Sequence, residues 1–532
     1  MTRVKNPVLP GFHPDPSILR VGGDYYIATS TFQWFPGVEI YHSKDLANWE
    51  FVTRPLSEKR LLDMTGVPDS GGVWAPCLTY ADGLFYLVYS NVKTYRNYYK
   101  DVDNYVITSP SLEGPWSDPV YLNSSGFDAS MFHDTDGRKY LVNMVWDQRD
   151  KRNAFWGIVL QEYDPLRKSL IGKPKCIFRG SEIGKTEGPH IYKINGYYYL
   201  VCAEGGTFYE HAVTVARSEN LWGEYELSPK HPLLTSNGHP ELVIQKSGHG
   251  SLVETPDGKW YVAHLCGRPN GNKGRCMLGR ETSIQNLVLR DDGWFDLDNA
   301  TGMPEEYFEV SGSVEVLPKA KERISTFPGK LPDEFQTLRI PLSEEYMHFN
   351  REKEHLILAG KDSMESLHQQ SLVGRRREDF QFIAETKLYF DPVNFQQLAG
   401  MALYYDTSNY FYLYVSFDEE KGRYISLMEC NKGSFIERSE KIKLSVTGSD
   451  DGVTLRMAVM NDRAEFSYSA GDSGIVRIGV PLDATQLSDD YYDEDREGLR
   501  FTGTFITLSC QDVSGQKREA EFAYFRYLAI DK

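Results

Sequence analysis

Five segments of this chain open on the same cue. "DYYIATST", "LFYLVYSN", "KYLVNMVW", "YYYLVCAE" and "KWYVAHLC" are aromatic and aliphatic runs with period-two alternation, and each follows a turn signal: "VGGD", "ADG", "TDG", "ING" and "PDG". Such runs read as buried strands entered from hairpins. A tyrosine marks the same place in each: Tyr26, Tyr86, Tyr140, Tyr199 and Tyr261. An aliphatic residue follows each one: Ile27, Leu87, Leu141, Leu200 and Val262. Successive tyrosines are 60, 54, 59 and 62 residues apart, and four blocks end on a polar turn and a tryptophan ("SKDLANW", "SPSLEGPW", "RSENLW", "RDDGW"). Five similar all-β blocks of about 60 residues predict radial repetition, a five-bladed β-propeller. A long sandwich or solenoid is the alternative, and the shared phase disfavours it.

The phase also picks out side chains. Twelve residues before Tyr86, Tyr140, Tyr199 and Tyr261 stand Trp74, Asp128, Glu187 and His249; eleven before Tyr26 stands Asp15. If the first strand of each blade lines the central axis, these five converge on one pocket. Any one of them alone reads as an ordinary polar strand start. Asp15 is one residue out of step and lies between two prolines in "GFHPDPSIL". Pro16 steers Asp15 away from the helical region, and Pro14 fixes its own φ. The two prolines are therefore expected to brace a carboxylate in a first blade that nothing precedes.

Two or three carboxyls in a pocket with stacking aromatics point to glycosidic bond cleavage. One acid protonates the leaving oxygen, and another, ionised, activates water or attacks directly. A third can hold the first one's pKa up by like-charge repulsion. Asp, Asp, Glu and His are also metal ligands, but no tight ligand motif such as HExxH is present.

The remaining composition mainly excludes. A formal net charge of -17 argues against nucleic-acid or anionic-membrane partners. No run of 18 apolar residues exists to span a membrane, and the opening "MTRVKNPVLPGFHPDP" has no apolar core of a secretory signal. Seven scattered cysteines form no CxxC pair, which favours reduced structural thiols. A cytoplasmic location is the expectation. At 532 residues, two or three domains are expected, and 34 tyrosines suit both strands and sugar-stacking surfaces.

"HPDPSI", "STFQWFPGVEIYHSKDLANW", "GGVWAPCL", "FDASMFHDTDGRKYLV", "KTEGPHIYK", "GGTFYEH", "GHGSLVETPDGKWY" and "LGRETSI", in this order and phase, resemble glycoside hydrolase family 43, and within it the two-domain β-xylosidases. The resemblance implies an inverting hydrolase. Asp15 in "HPDP" matches the general base, Glu187 in "TEGPH" the general acid, and Asp128 in "GFDASMF" the residue that tunes and orients the acid. Arg280 in "LGRET" looks like the arginine that contacts sugar hydroxyls and nearby carboxylates, a task suited to bidentate hydrogen bonding. Trp74 and Phe32 look like pocket-wall aromatics, and Thr207 in "GGTFYEH" borders the sugar. His249 resembles the axial histidine that helps hold a calcium ion in some relatives and acts without one in others. The metal thus stays unknown: no cofactor is required for the chemistry, and a structural or pocket calcium is left open.

Near residue 320 the pattern changes. "VLPKAKERISTFPGKLPDEF" is charged, contains prolines and lacks strand alternation, so it reads as a linker or domain edge. Beyond it "EHLILAG", "DFQFIAETKLYF", "LAGMALYYD", "YFYLYVSF", "RYISLMEC", "GVTLRMAVM", "RAEFSYSA" and "FTGTFITLSCQD" predict a two-sheet antiparallel β-sandwich. The division is then 1–320 for the propeller and 321–532 for the sandwich. "QLSDDYYDED" reads as an acidic loop on a solvated face rather than a metal cage. By resemblance, the sandwich helps close the pocket, with Phe505 as the inserted aromatic; plain sandwich core is the alternative for Phe505. Relatives are often homo-oligomers, which sets tetramer or dimer as the expectation.

These readings converge on an exo-acting β-1,4-xylosidase that trims xylo-oligosaccharides from the non-reducing end. An α-L-arabinofuranosidase, or an enzyme with both activities, is the nearest rival. An endo-acting arabinanase would need an open groove. A non-catalytic sugar-binding propeller has no use for three carboxyls in phase, and a sialidase would carry SxDxGxxW boxes.

Overall fold

A computed structural model describes residues 1–271, 274–444, 452–471, 474–491 and 499–530. By internal contacts the chain forms two compact units. One is 1–268 with 280–317; the other is 269–279 with 318–532. The sequence gives no hint of the excursion 269–279, a short Gly- and Asn-rich stretch inside the last repeat.

The first unit is a five-bladed β-propeller. Each blade begins with an inner strand: Ser17–Val21, Gly72–Ala81, Ser130–His133, Glu187–Ile194 and Gln245–Glu254. The second strands are Asp24–Thr29, Leu84–Val92, Lys139–Trp146, Tyr197–Glu204 and Trp260–Gly267, which are the five repeated segments of the sequence. All neighbours within a blade are antiparallel. Outward-facing apolar residues of one blade meet those of the next. Leu78, Leu87 and Ile107 of blade 2 pack with Ala28 and Ile40 of blade 1, and Tyr199, Val201 and Val213 of blade 4 pack with Leu252 and Val262 of blade 5. This inter-blade burial, at about 25 cal/mol per Å² of apolar surface, is what period-two alternation makes available. The ring is also tied through its first strand. Thr2–Lys5 pairs with Tyr307–Val310, and Asn6 exchanges hydrogen bonds with the backbone of Ile284 in blade 5.

The register corrects one reading of the repeat. Tyr26, Tyr86, Tyr140, Tyr199 and Tyr261 lie opposite Leu19, Thr79, Phe132, Tyr192 and Val253 on the inner strands. Four residues before each of these partners the backbone turns left-handed: Asp15 (φ 55°), Ala75 (34°), Asp128 (54°), Gly188 (57°) and His249 (49°). Asp15 is therefore in step with Asp128 and His249. Trp74 and Glu187 stand one place earlier, and the differing hairpin lengths of the blades hid this in the sequence count.

The physical reason is steric. Asp and His are among the non-glycine residues that accept positive φ most readily, Asp because its short polar chain can bond locally, whereas most long side chains there are strained. In blades 2 and 4 the left-handed position goes to Ala75 and Gly188, and the longer Trp74 and Glu187 take the residue before. The Asp15 backbone is left-handed, not extended as Pro16 alone predicts. Its bracing comes from hydrogen bonds as well as prolines: Ser30 donates its N–H to the Pro14 carbonyl (3.1 Å), and the Ser251 hydroxyl donates to the Pro16 carbonyl (2.8 Å).

The second unit is a β-sandwich. One sheet runs Met347–Asn350, His355–Ala359, Glu519–Ala529, Gln381–Tyr389, Val453–Met460, Arg463–Ala470 and Val476–Asp483. The other includes Ser434–Glu437, Gly422–Asn431, Asn409–Asp418, Gln397–Asp406, Phe505–Asp512, Ser371–Arg376 and Phe335–Leu338. Leu356, Phe382, Leu455 and Phe522 from the first meet Met401, Phe411, Leu413 and Leu508 from the second in one core. Two details differ from the sequence reading. Glu322–Ser325, inside the supposed linker, is a strand paired with Phe525–Leu528. The acidic loop at 486–495 is not simply solvated: Asp489 is buried, while residues 492–495 lie outside the described residues. Among the described residues no helix is long and apolar enough to cross a membrane.

Gly188 gives a direct test of the left-handed position. A Cβ there would sit 3.0 Å from the His249 ring, on a backbone at φ 57°. Gly188→Ala is expected to destabilise the protein by at least about 1 kcal/mol in denaturant unfolding. An unchanged midpoint would contradict the steric account.

Candidate active site

The inner-strand starts bring Asp15, Asp128, Glu187 and His249 together at the propeller axis. Asp15 is held on both oxygens. The Ser30 hydroxyl donates to Oδ2 at 2.6 Å, while Arg280 Nη1 lies 3.3 Å and His249 Nδ1 3.7 Å from Oδ1. Ser30 Oγ itself accepts the Ala75 N–H at 2.8 Å, so its proton is directed at Asp15. Asp15 is thus fixed by a hydroxyl of its own blade, a backbone amide of the next blade acting through that hydroxyl, and a guanidinium from blade 5.

Arg280 immediately precedes the third strand of blade 5, Glu281–Leu289. It also donates to the Thr207 hydroxyl at 2.8 Å, and its guanidinium carbon lies 5.1 Å from the centre of the Phe32 ring. The base of this arrangement is the N-terminal segment running along blade 5. His13 N–H donates to the Arg280 carbonyl, the Thr282 hydroxyl donates to the His13 carbonyl, and Gly11 N–H donates to Glu281. Glu281 is in turn clamped by both arms of Arg268. Asp15 and Arg280 therefore approach each other because two distant stretches of chain are laced together.

Asp128 Oδ2 accepts the Gly188 N–H at 3.1 Å, which fixes the backbone immediately after Glu187. The Ser130 hydroxyl adds a bond to the Pro189 carbonyl. Burial pushes the Asp128 carboxyl well up, and the Glu187 and Asp15 charges push it further, against the Gly188 bond and Arg280. Glu187 is only half-buried yet walled in by protein. Burial first, then the Asp15 charge, raises it to about 7, opposed by Arg280, Lys100 and Lys185. A carboxyl that holds its proton near neutrality thus faces a carboxylate held by a hydroxyl and a guanidinium. That is the pairing required to protonate a leaving oxygen on one side and draw a proton from water on the other.

The aromatic wall is larger than the sequence indicated. Trp74 donates its indole N–H to the Ser70 carbonyl and touches Phe32, Tyr95 and Phe127 at ring distances of 5.8, 5.4 and 5.4 Å. Tyr95, Phe127, Lys100, Trp146 and Ser30 are not among the residues that the repeat phase picks out. Lys100 Nζ sits 4.2 Å from the Trp146 ring centre, and burial lowers its pKa to about 8. No motif marks a serine in "ATSTF" or a lysine in "NYYKD"; only the fold reveals their neighbours.

Phe505 opens the strand Phe505–Asp512 of the sandwich and is fully buried there, between Arg376 and Tyr404 on the adjacent strands. The Arg376 guanidinium carbon lies 5.5 Å from its ring centre.

Calcium takes six to eight oxygen ligands. His249 is itself buried and driven toward its neutral form by burial. Among the described residues, the one group of three His, Cys, Asp or Glu ligand atoms in mutual reach is Cys276, Asp489 and Asp490, in the second unit. The side chains around His249 therefore do not fit a calcium ion held directly by carboxylates.

A propeller whose axis gathers three carboxyls, an arginine and a tryptophan has the groups that glycosidic bond cleavage needs. The chain belongs to glycosyl hydrolases family 43: that family's model matches residues 4–295, and the β-xylosidase C-terminal concanavalin A-like domain matches 326–528. Over 532 residues it is 46% identical to "Xylosidase/arabinosidase 43B" of Humicola insolens, covering 100% of this chain and 98% of that one. It is 47% identical to a "Beta-xylosidase" of Bacillus subtilis (strain 168), covering 99% of each. The crystal structure of a xylan beta-1,4-xylosidase from Bacillus halodurans superimposes with a TM-score of 0.95 at 47% identity, covering 99% of this chain and 100% of that one.

The raised Glu187 pKa has a consequence for stability. The folded protein binds this proton more tightly than an unfolded glutamate does. The stabilisation is therefore complete below the unfolded value near 4.5 and is lost as pH rises through about 7. Glu187→Gln removes that loss. Its melting temperature relative to the parent is expected to improve between pH 5 and pH 8, and a constant difference across that range would contradict the shift.

Proposed function

We propose that this enzyme is an exo-acting β-xylosidase that removes xylose from the non-reducing end of xylo-oligosaccharides, cutting β-1,4 linkages with inversion. The observation that carries the reading is the meeting, at the propeller axis, of Glu187, whose setting pushes its pKa up to about 7, with an Asp15 carboxyl held by Ser30 and Arg280.

In this reading Asp15 is the general base. It takes a proton from water as the water oxygen bonds to the anomeric carbon. Glu187 is the general acid and gives its proton to the departing glycosidic oxygen as that C–O bond breaks. Asp128 holds Glu187 in place through the Gly188 amide, while the like charge that resists ionisation of Glu187 comes from Asp15. Arg280, with Thr207, binds sugar hydroxyls and keeps Asp15 oriented, while Trp74, backed by Phe32, supplies a flat apolar face. His249 closes the axial floor beside Asp15.

An accompanying α-L-arabinofuranosidase activity is supported by the relative named for both activities. Rates on the aryl β-xyloside and the aryl α-arabinofuranoside separate the two. We also place the enzyme in the cytoplasm, on the strength of seven free cysteines, all but Cys176 buried. A homo-oligomer, dimer or tetramer, is supported by the family resemblance and by Ile475, Val480 and Phe435, exposed at or beside the outermost sandwich strands. Sedimentation as a monomer at micromolar concentration would contradict it.

Asp15→Ala and Glu187→Ala are each expected to cut turnover of xylobiose by about 10²–10⁴-fold, with near-native melting curves. Near-parental turnover in either variant would remove that residue from its role.

A further inference from the structure

Glu204 is a fully buried carboxylate that the chemistry above does not use. It ends the second strand of blade 4, Tyr197–Glu204. Its Oε1 accepts the Ser181 N–H and the Thr186 hydroxyl, both at 2.7 Å. Its Oε2 accepts the Ser181 hydroxyl at 2.5 Å and the Thr214 hydroxyl at 2.8 Å. All four acceptor directions of the carboxylate are filled, and every donor is neutral. Withdrawing a carboxylate from water without a cationic partner is costly, and a packing position alone does not call for one.

The location shows what that cost supports. Glu187 pairs with Ala203 across the ladder, so Thr186 comes opposite Glu204. Beyond Glu187 the register shifts before His190, and regular pairing resumes only there. Glu187 thus sits at a break in its strand. On the far side the chain is held by the Gly188–Asp128 bond. On the near side the segment 181–186 is tied down by Glu204 at both of its ends. Gly180 makes the close approach feasible, since a Cβ there would fall 2.0 Å from the Thr186 hydroxyl oxygen. The Gly205 N–H closes the loop onto the Gly184 carbonyl at 2.8 Å.

We propose that Glu204 is a positioning residue for the acid: through Thr186 and Ser181 it fixes the backbone that aims Glu187 at the leaving oxygen. The inference rests on the reading of Glu187 as general acid. It makes Glu204 a partner of Asp128, one on each side of the acid, although Glu204 lies outside the pocket.

The test compares two leaving groups. Xylobiose releases a sugar hydroxyl and needs the acid; an aryl β-xyloside with a strongly acidic phenol leaves without it. Thr186→Val deletes one bond and conserves shape, and Glu204→Gln conserves shape while losing the charge. Both are expected to lower kcat/KM on xylobiose roughly tenfold, as a small misplacement of a catalytic group does, and to leave the activated xyloside within about twofold. Thr186→Ser, which restores the hydroxyl, is expected to recover xylobiose cleavage. Equal losses on both substrates, or no loss on xylobiose, would overturn the inference. Glu187→Ala serves as the reference. If it shows the leaving-group split and the Thr186 and Glu204 variants do not, the Glu204 inference alone falls. If Glu187→Ala shows no split, the assignment of the acid falls first.

Discussion

Asp15 and Asp128 are buried and Glu187 half-buried beside the Arg280 guanidinium, and burial together with neighbouring charge opposes the ionisation of Asp128 and of Glu187. Much of the propeller's local structure follows from managing that conflict. Asp15 receives the donors: the Ser30 hydroxyl and Arg280. Asp128 and Glu187 receive burial and like charge, so protons stay on that side. In the proposed reading, the division of labour between base and acid is a division of hydrogen-bond donors, set by which blade supplies what. The groups around the carboxyls come from all five repeats in unequal shares, which is how a ring of similar blades builds an asymmetric site.

The left-handed position at the start of each inner strand makes this convergence possible. It recurs four residues ahead of the partner of every marker tyrosine and is filled by Asp, Ala, Asp, Gly and His. Aspartate accepts this backbone at modest cost, of order 1–3 kcal/mol, recovered through the bonds it forms. Glutamate and tryptophan are placed one residue earlier instead. The repeat is thus conserved in backbone conformation more strictly than in side-chain spacing.

The tyrosine period made five blades legible, because strands buried on both sides leave a strong apolar signature. The same period led to Asp15, Trp74, Asp128, Glu187 and His249, since the inner strand lies a nearly fixed distance upstream. What it hid was the true register, because hairpins of different length shift the count by one. Ser30, Lys100 and Glu204 were not legible: a serine, a lysine or a glutamate in a strand or loop acquires meaning only from partners brought in by other blades. The strand at 322–325 was missed because its four residues carry no alternation, its pairing being dictated by the long strand Glu519–Ala529 beside it. The buried start of the acidic loop was missed because charge alone suggested solvent.

In the proposed reading, Asp15 activates water while Glu187 protonates the leaving oxygen in a single displacement. It is tested most directly by following xylobiose hydrolysis with proton NMR before mutarotation mixes the anomers. With inversion, the xylose released from the non-reducing end appears first as the α anomer. Initial release of the β anomer would contradict it.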